Sequence, residues 1–416
     1  MRALALTGIL LIPTAELRAQ DYDGYFSSLF LLMPDIAEDA RNQHVTELRT
    51  RLFAEGFYDA SDWVHFRAGL FVETLIADRG PLDADSPALA AIVRPGDAYV
   101  EFRGEHADLR AGMSRIVWGR LDEIQPTDVV NPLDLSRFLL EGRSEARLPV
   151  AMLRGRAFLP GGSTLEGIVV PLFRSGRFDQ LEEETSPFRL APPGRIERRE
   201  PGVTWSSLQG GGRFTSTIAR VDWGVSAWRG FEGFPAYVPA PVPLDPLALG
   251  VPTFVETFPR FTMLGADFET VRGAWGLRGE AAWFGGDSPR SFEGGLGADR
   301  RAGDYRVAIN ALVSHADLSA VASAAEDTEL TLVGWAERTF TRDTRRARLL
   351  AVYDPDDDTM FVRGMGAINV HENVWFELSG GWFTGDPQNV DASGSIGSLG
   401  LLSERDFLYT QLRVHF

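Results

Sequence analysis

The densest group of residues that could do chemistry runs from Arg115 to Asp134 and reads RIVWGRLDEIQPTDVVNPLD. From about 119 to 146 the chain is too polar and too rich in turn formers to be a strand, so we expect a long loop. Its charges could form a constriction of both signs, or they could tie the loop to its surroundings through ion pairs and Asx turns around Asn131 and Pro132. The sequence leaves both interpretations open. The side chains concerned are Arg120, Asp122, Glu123, Asp128, Asp134 and Arg137.

Other charged residues recur at every second position of short segments, a period that is typical of strands with two different faces. For example, Leu48 and Leu52 fall on one face, while Arg49 and Arg51 fall on the other. In a water-soluble sandwich the charged face would meet solvent, whereas in a barrel within lipid it would point into the lumen. The side chains predicted to line such a lumen are Glu47, Arg49, Arg51, Arg67, Glu73, Glu101, Arg103, Arg110, Arg154, Arg156, Arg278, Glu280, Arg363, Glu377 and Arg413.

The lengths of the connections decide between these alternatives. Tight connections are predicted near 104–106, 160–162, 221–223, 272–274, 303–304, 342–343 and 372–373. Mostly longer connections lie between them, near 77–94, 119–146, 176–200, 234–258, 317–327 and 386–402. Outer-membrane barrels alternate short periplasmic turns with long external loops in this way. We therefore predict an all-β, transmembrane, antiparallel up-and-down barrel of about 18 strands that begins at Asp21–Leu32, with 16 strands as the alternative if that segment is a tether or plug.

Composition narrows the compartment and the possible partners. Residues 1–19 read as a signal peptide, with Arg2 before an apolar run and a cleavage site before Gln20, which leaves 20–416 for the barrel. No later stretch approaches the ~18 apolar residues of a membrane helix. The chain has no cysteine, which excludes disulfides and thiolate chemistry, and its net charge of −17 argues against a nucleic-acid partner.

The last strand carries a localised signal. Leu408, Leu412, Val414 and the terminal Phe416 share one face, opposite Arg413 and its neighbours. A terminal aromatic residue with apolar residues at alternate positions before it resembles the signal that barrel-assembly machinery recognises. We expect Leu412, Val414 and Phe416 to act as that assembly signal and the protein to reside in the outer membrane of a Gram-negative cell.

Four short motifs carry a resemblance to a known family. They are VWG at 117–119, VVNPLD at 129–134, EARLP at 145–149 and LEG at 165–167. Together they resemble the W-G, V-x-N-P-x-D and E-x-x-x-P pattern of a family of porin-like Gram-negative outer-membrane barrels of unknown function, over about residues 95–175. The resemblance implies an outer-membrane barrel, encoded in many genomes near exporters of the resistance-nodulation-division type.

The leading functional hypothesis is a channel that passes small polar or anionic solutes by passive or facilitated diffusion, the anionic preference resting on the excess of lumen arginines. The alternative is an accessory or structural barrel that works with an envelope exporter complex and is plugged by the 119–146 loop. A secreted, soluble β-protein is a third possibility. The six histidines are scattered and no G-x-S-x-G motif occurs, so we expect no enzyme activity, no cofactor and no metal.

Overall fold

The computed structural model describes residues 21–34, 45–78, 88–192, 194–240, 253–317, 326–385 and 402–416. The predicted signal peptide lies outside these ranges, as do 79–87 and parts of several other predicted external loops. Within the described ranges, no helix has the length and apolar character needed to cross a membrane.

Strands dominate the described chain. In order they are β1 Asp21–Leu32, β2 Thr46–Ser61, β3 Val64–Ala77, β4 Ala88–Arg103, β5 Ala107–Ser114, β6 Val150–Leu159, β7 Ser163–Val170, β8 Arg195–Arg198, β9 Gln209–Ile218, β10 Val221–Phe231, β11 Ala236–Pro239, β12 Thr253–Thr257, β13 Arg260–Arg272, β14 Trp275–Gly286, β15 Arg290–Ala302, β16 Tyr305–Asp317, β17 Glu326–Phe340, β18 Arg345–Asp354, β19 Thr359–His371, β20 Val374–Thr384 and β21 Phe407–His415. Two short helices, α1 Leu135–Glu141 and α2 Arg143–Ala146, and a 3-10 turn at Trp205–Ser207 complete the described elements.

Eighteen of these strands form one antiparallel barrel, which confirms the predicted fold and strand number. Each strand pairs with the next one along the chain, and β1 closes the barrel against β21 with Tyr25 opposite His415. Closure is reinforced beyond the last strand, because the backbone N–H of Phe416 donates to the carbonyl oxygen of Gly24 at 3.0 Å. The remaining strands, β8, β11 and β12, form a separate small sheet in which β12 is central.

Eight tight turns lie at one end of the barrel, here named the turn end, and the longer connections lie at the other, the loop end. Two predicted connections need correction. The turn after β9 is at Ala219 and Arg220, both with positive φ, so 221–223 belongs to β10. The predicted loop at 77–94 is too long, because β4 begins at Ala88 and the Pro95–Asp97 turn signal forms a bulge within that strand.

The two faces of the barrel strands differ in the predicted sense. Leucine, valine and aromatic side chains are exposed on the outside, as at Leu48, Leu264 and Leu296, while the charged positions between them are covered. The inner face is not uniformly polar, however. Near the loop end an apolar core lies inside the barrel, where Phe361, Phe383 and other wall side chains pack against α1. The barrel therefore has an internal core in addition to its apolar exterior.

The closing seam makes a specific prediction about Gly24. A Cβ added there would lie 2.6 Å from the Phe416 ring and from the backbone oxygen of Phe53. Gly24→Val should therefore lower the stability of the folded barrel by about 1–3 kcal/mol, since the crowded seam cannot yield without separating β1 from β21. The measurement is the fraction of compact, heat-modifiable barrel on denaturing gels after refolding.

Gly56→Val is the matched control, because Gly56 lies on the neighbouring strand with open space around its added Cβ. It should refold as well as the wild-type protein. Equal losses in both variants would contradict a steric role for Gly24 at the seam.

Candidate functional site

All fifteen charged residues predicted to line the lumen point inward, and each has a charged or polar partner. Glu73 is the most heavily bound of them. It is buried and accepts from Arg51 and Arg94, both at 2.6 Å, and from Arg137. The Arg94 guanidinium also lies over the Phe71 ring at 4.2 Å. Three cations around one carboxylate offset the cost of removing these groups from water.

The same pairing repeats around the wall. Glu101 binds Arg103 and Arg110, and Arg154 binds Glu166. The other predicted pairs are Glu47 with Arg49, Arg67 with Glu55, Arg156 with Asp108, Arg278 with Asp299, and Arg363 with Glu377. The arginines counted in favour of an anionic preference are thus largely neutralised by carboxylates.

Residues 115–149 leave the wall between β5 and β6 and fold into the lumen; we name this stretch the plug. It enters at Trp118, which is buried and donates from Nε1 to Glu166 at 2.7 Å. Its ring meets Trp228 edge to face, with centroids 5.8 Å apart. Gly119 follows because a side chain there would collide with Gln125. The W-G pair and the glutamate of LEG are therefore parts of one contact.

Asn131 joins the two ends of the plug. Its side-chain oxygen accepts from the N–H of Ile116 at 2.8 Å, and its Nδ2 donates to the carbonyl oxygens of Ser114 at 3.1 Å and Leu148 at 2.8 Å. Asp134 then caps α1, accepting from the N–H of Arg137 at 3.2 Å. This arrangement gives a physical reason for the asparagine and the aspartate of VVNPLD, since both satisfy buried backbone groups.

One side of the plug binds the wall at β13, β14, β17 and β18. Arg120 pairs with Asp267 and with Glu269, the latter at 3.1 Å. Asp122 accepts from Arg278 at 2.8 Å and from the Trp335 ring nitrogen at 3.2 Å. The next residue also reaches the wall, through the pair Glu123–Arg348 at 2.7 Å.

The other side of the plug binds β2, β3 and β21. Arg137 reaches Glu73, and Glu141 at the end of α1 pairs with Arg51 at 2.7 Å. The Leu140 carbonyl oxygen accepts from the Tyr409 hydroxyl at 2.9 Å. Burial raises the pKa of Glu141, but Arg51, Arg137 and Arg413 outweigh it and hold that pKa at about 2. The plug therefore crosses the lumen and carries a fixed negative charge at the end of α1.

All six loop residues singled out in the sequence are engaged. Arg120, Asp122, Glu123 and Arg137 bind the wall, Asp128 binds Arg143 and Arg147 within the plug, and Asp134 caps α1. Of the two interpretations left open, ion pairs that tie the segment in place describe the observed contacts better than a ring of free charges. Sequence reasoning missed Glu141 and its helix, whose apolar positions could have revealed them.

A second inward segment, 171–192, also went unrecognised in the sequence. Asp179 pairs with Arg49 at 2.6 Å, and Phe188 is buried edge to face against Phe407. Burial raises the pKa of Asp179 to about 6, even though Arg49 acts in the opposite direction; Asp134 and Glu47 raise it further. A carboxylate within a stretch expected to be external loop gave no signal that it would be buried.

A cavity of about 760 Å³ remains between the plug and the wall formed by β15–β21. Its lining is part apolar, with Phe138, Leu139 and Leu312 among the side chains, and part charged. Along β18 it extends from Arg346, near the turn end, to Asp354, at the loop end. Eight carboxylates line it, namely Glu123, Glu141, Glu145, Glu293, Glu329, Glu337, Asp354 and Glu377. Five arginines face them, namely Arg143, Arg346, Arg348, Arg363 and Arg413.

The closed strand order, the outward apolar face and the folded interior define a β-barrel of the outer-membrane type. The chain belongs to the family described as "Protein of unknown function (DUF1302)", whose model matches residues 76–342 and so includes the whole plug. This membership confirms the family resemblance seen in the sequence. No curated protein matches the sequence.

Solved structures share the fold at low sequence identity. Acinetobacter baumannii OccAB4 is 9% identical with a TM-score of 0.54, and the match covers 96% of this chain and 98% of that one. Salmonella typhi OmpF, solved with daunomycin, is 9% identical with a TM-score of 0.44 over 95% of this chain and 97% of that one. A mutant of the Rh. blastica porin is 11% identical with a TM-score of 0.40 over 96% and 100%.

The plug contacts predict that Glu73→Gln destabilises the protein. The change would leave Arg51, Arg94 and Arg137 without their shared counter-charge, and a loss of about 3–5 kcal/mol is expected for breaking such a buried cluster. Thermal unfolding in detergent measures the effect. In the control, Glu269→Gln, the side chain is 40% exposed and Arg120 keeps Asp267, so the loss should stay below about 1 kcal/mol. Similar losses in the two variants would contradict the assigned role of Glu73.

Asp179 predicts a pH dependence of the second inward segment. Because its pKa is raised in the folded state, the folded protein binds a proton there that the unfolded chain does not, so protonation stabilises the fold. As the pH falls through about 6, the wild-type protein should gain stability relative to Asp179→Asn, down to the usual pKa of an aspartate. Unfolding temperatures measured over this range test it; parallel pH curves for the two proteins would contradict it.

Proposed function

We propose that the protein is a non-enzymatic outer-membrane channel through which small solutes diffuse beside the plug. The observation that carries this proposal is the cavity, because it follows the wall strands instead of ending as an isolated pocket. From Arg346 to Asp354 the chain rises roughly 26 Å along β18, or roughly 20 Å in height for a tilted strand. That is most of the ~25 Å apolar band of an outer-membrane barrel.

The lining supports small polar solutes as the cargo more than anionic ones. Its carboxylates outnumber its arginines, and several of the arginines are already paired, such as Arg348 with Glu123. Apolar side chains, including Phe138, Val352 and Phe361, form the rest of the wall. A solute with both polar and apolar surface would therefore find partners along the path.

The alternative is an accessory or structural barrel that works with an envelope exporter complex. The observation in its favour is that the plug is fastened on opposite sides of the lumen, through Arg120 to β13 and through Glu141 to β2. Such a barrel would not conduct by itself. Crosslinking of the protein in its native envelope would then recover a periplasmic or inner-membrane partner.

Single-channel recording in planar bilayers tests the channel. The purified wild-type protein should give discrete conductance steps, and Ser314→Trp should roughly halve them, because Ser314 lines the cavity and an indole there narrows it. Ala311→Trp is the control, since Ala311 lies on the same strand but on its exposed outer face. A silent wild-type protein would refute the channel; equal effects of the two tryptophans would show that the current does not follow this cavity.

A further inference from the structure

A row of arginines and aromatic residues crosses the outer face of six consecutive strands at the turn end. It comprises Arg272 on β13, Trp275 on β14, Arg300 on β15, Tyr305 on β16, Arg338 and Phe340 on β17, and Arg345 on β18. Their outward direction follows from strand alternation, because they share a face with the exposed Leu277, Leu296, Val307 and Leu349.

Strand register places an arginine directly opposite each of the three aromatic residues. Trp275 lies between Arg272 and Arg300, Tyr305 lies opposite Arg338, and Phe340 lies opposite Arg345. The guanidinium of Arg300 is 5.3 Å from the Trp275 ring centroid, and that of Arg338 is 4.7 Å from the ring of Tyr305 and 4.4 Å from that of Phe340. Cation–π contact thus holds planar cations along the barrel surface.

These arginines differ from those inside the barrel in their counter-charges. Among the described residues, none of Arg272, Arg300, Arg338 and Arg345 has a carboxylate partner, and Nε of Arg338 is covered without any hydrogen-bond acceptor. On the inner face of the same strands, Arg278 binds both Asp122 and Asp299. The row therefore offers guanidinium donors that no residue in the described part of the chain satisfies.

The row is also confined to one sector. On the outer face of β2–β10 at the turn end, aromatic side chains such as Trp63 and Phe102 are present, but the described strands place no arginine among them. Aromatic girdles mark the level of the lipid headgroups in barrels of this kind. The four arginines consequently lie at headgroup level on one side of the barrel only.

We propose that this row is a binding surface for anionic phospholipids of the leaflet at the turn end. Guanidinium groups bind phosphate through paired N–H donors, and the exposed Leu277, Val307, Ile309 and Leu349 continue the same face where acyl chains would lie. Both parts of a phospholipid thus have complementary surface, whereas an acidic protein would have none for the apolar part. The inference requires only that the barrel spans a bilayer and is independent of what passes through its lumen.

Native mass spectrometry of the purified barrel tests the proposal. The protein is offered phosphatidylglycerol and phosphatidylcholine with matched acyl chains. The wild-type barrel should retain phosphatidylglycerol preferentially, and replacing all four row arginines by glutamine should abolish that preference, at about fivefold in affinity for each arginine. The control is Arg229→Gln with Arg290→Gln, which removes two exposed arginines at the loop end. This control should keep the preference, and single-channel conductance should not change in either variant.

Several outcomes would overturn the proposal. They are equal retention of the two lipids by the wild-type barrel, undiminished phosphatidylglycerol binding by the fourfold variant, and equal loss in the loop-end control. Displacement of the lipid by an excess of inorganic phosphate would indicate a simple anion site instead. If the fourfold variant does not fold on heat-modifiability gels, Arg300→Gln with Arg338→Gln and the fourfold arginine-to-lysine variant replace it. The former should lose most of the preference, and the latter should keep part of it.

Discussion

Pairing between arginine and carboxylate inside the barrel is the interaction on which the rest of the structure depends. A barrel that turns its leucines outward must place its polar face inward, and a folded interior removes much of that face from water. Buried charges are tolerated only when each finds a counter-charge. Glu73 with its three arginines and Glu280, which accepts from plug backbone N–H groups, show how the wall meets this requirement. The plug contributes charges that the wall needs, as well as blocking part of the lumen.

The barrel itself was predictable because its determinants are local. A period of two identifies the strands, and turn residues separate them, so strand number, closure and the facing of residues such as Arg49 and Arg154 follow from the sequence. The errors were local too. Ala219 and Arg220 adopt left-handed backbone conformations without a glycine to mark them, and Pro95 and Gly96 sit in a bulge that reads as a loop.

The interior could not be predicted in the same way, because its contacts join residues far apart in the chain. Asp122 meets Trp335, and Leu140 meets Tyr409, across gaps that no local pattern encodes. Arginine composition suggested an anionic lumen, yet composition does not reveal which charges cancel each other. Likewise, the inward-facing Phe361 and Phe383 follow strand alternation, but the apolar core they form depends on α1 being folded against them.

Asn131 has an architectural consequence. Because it ties the first and last residues of the plug to each other, and because Ser114 and Val150 pair directly across β5 and β6, the hairpin register is complete without anything in between. The interior segment is a side branch whose length and content leave the wall unaltered. Evolution can thus remodel what occupies the lumen while inheriting the same barrel, so that permeability and scaffold are separate heritable traits.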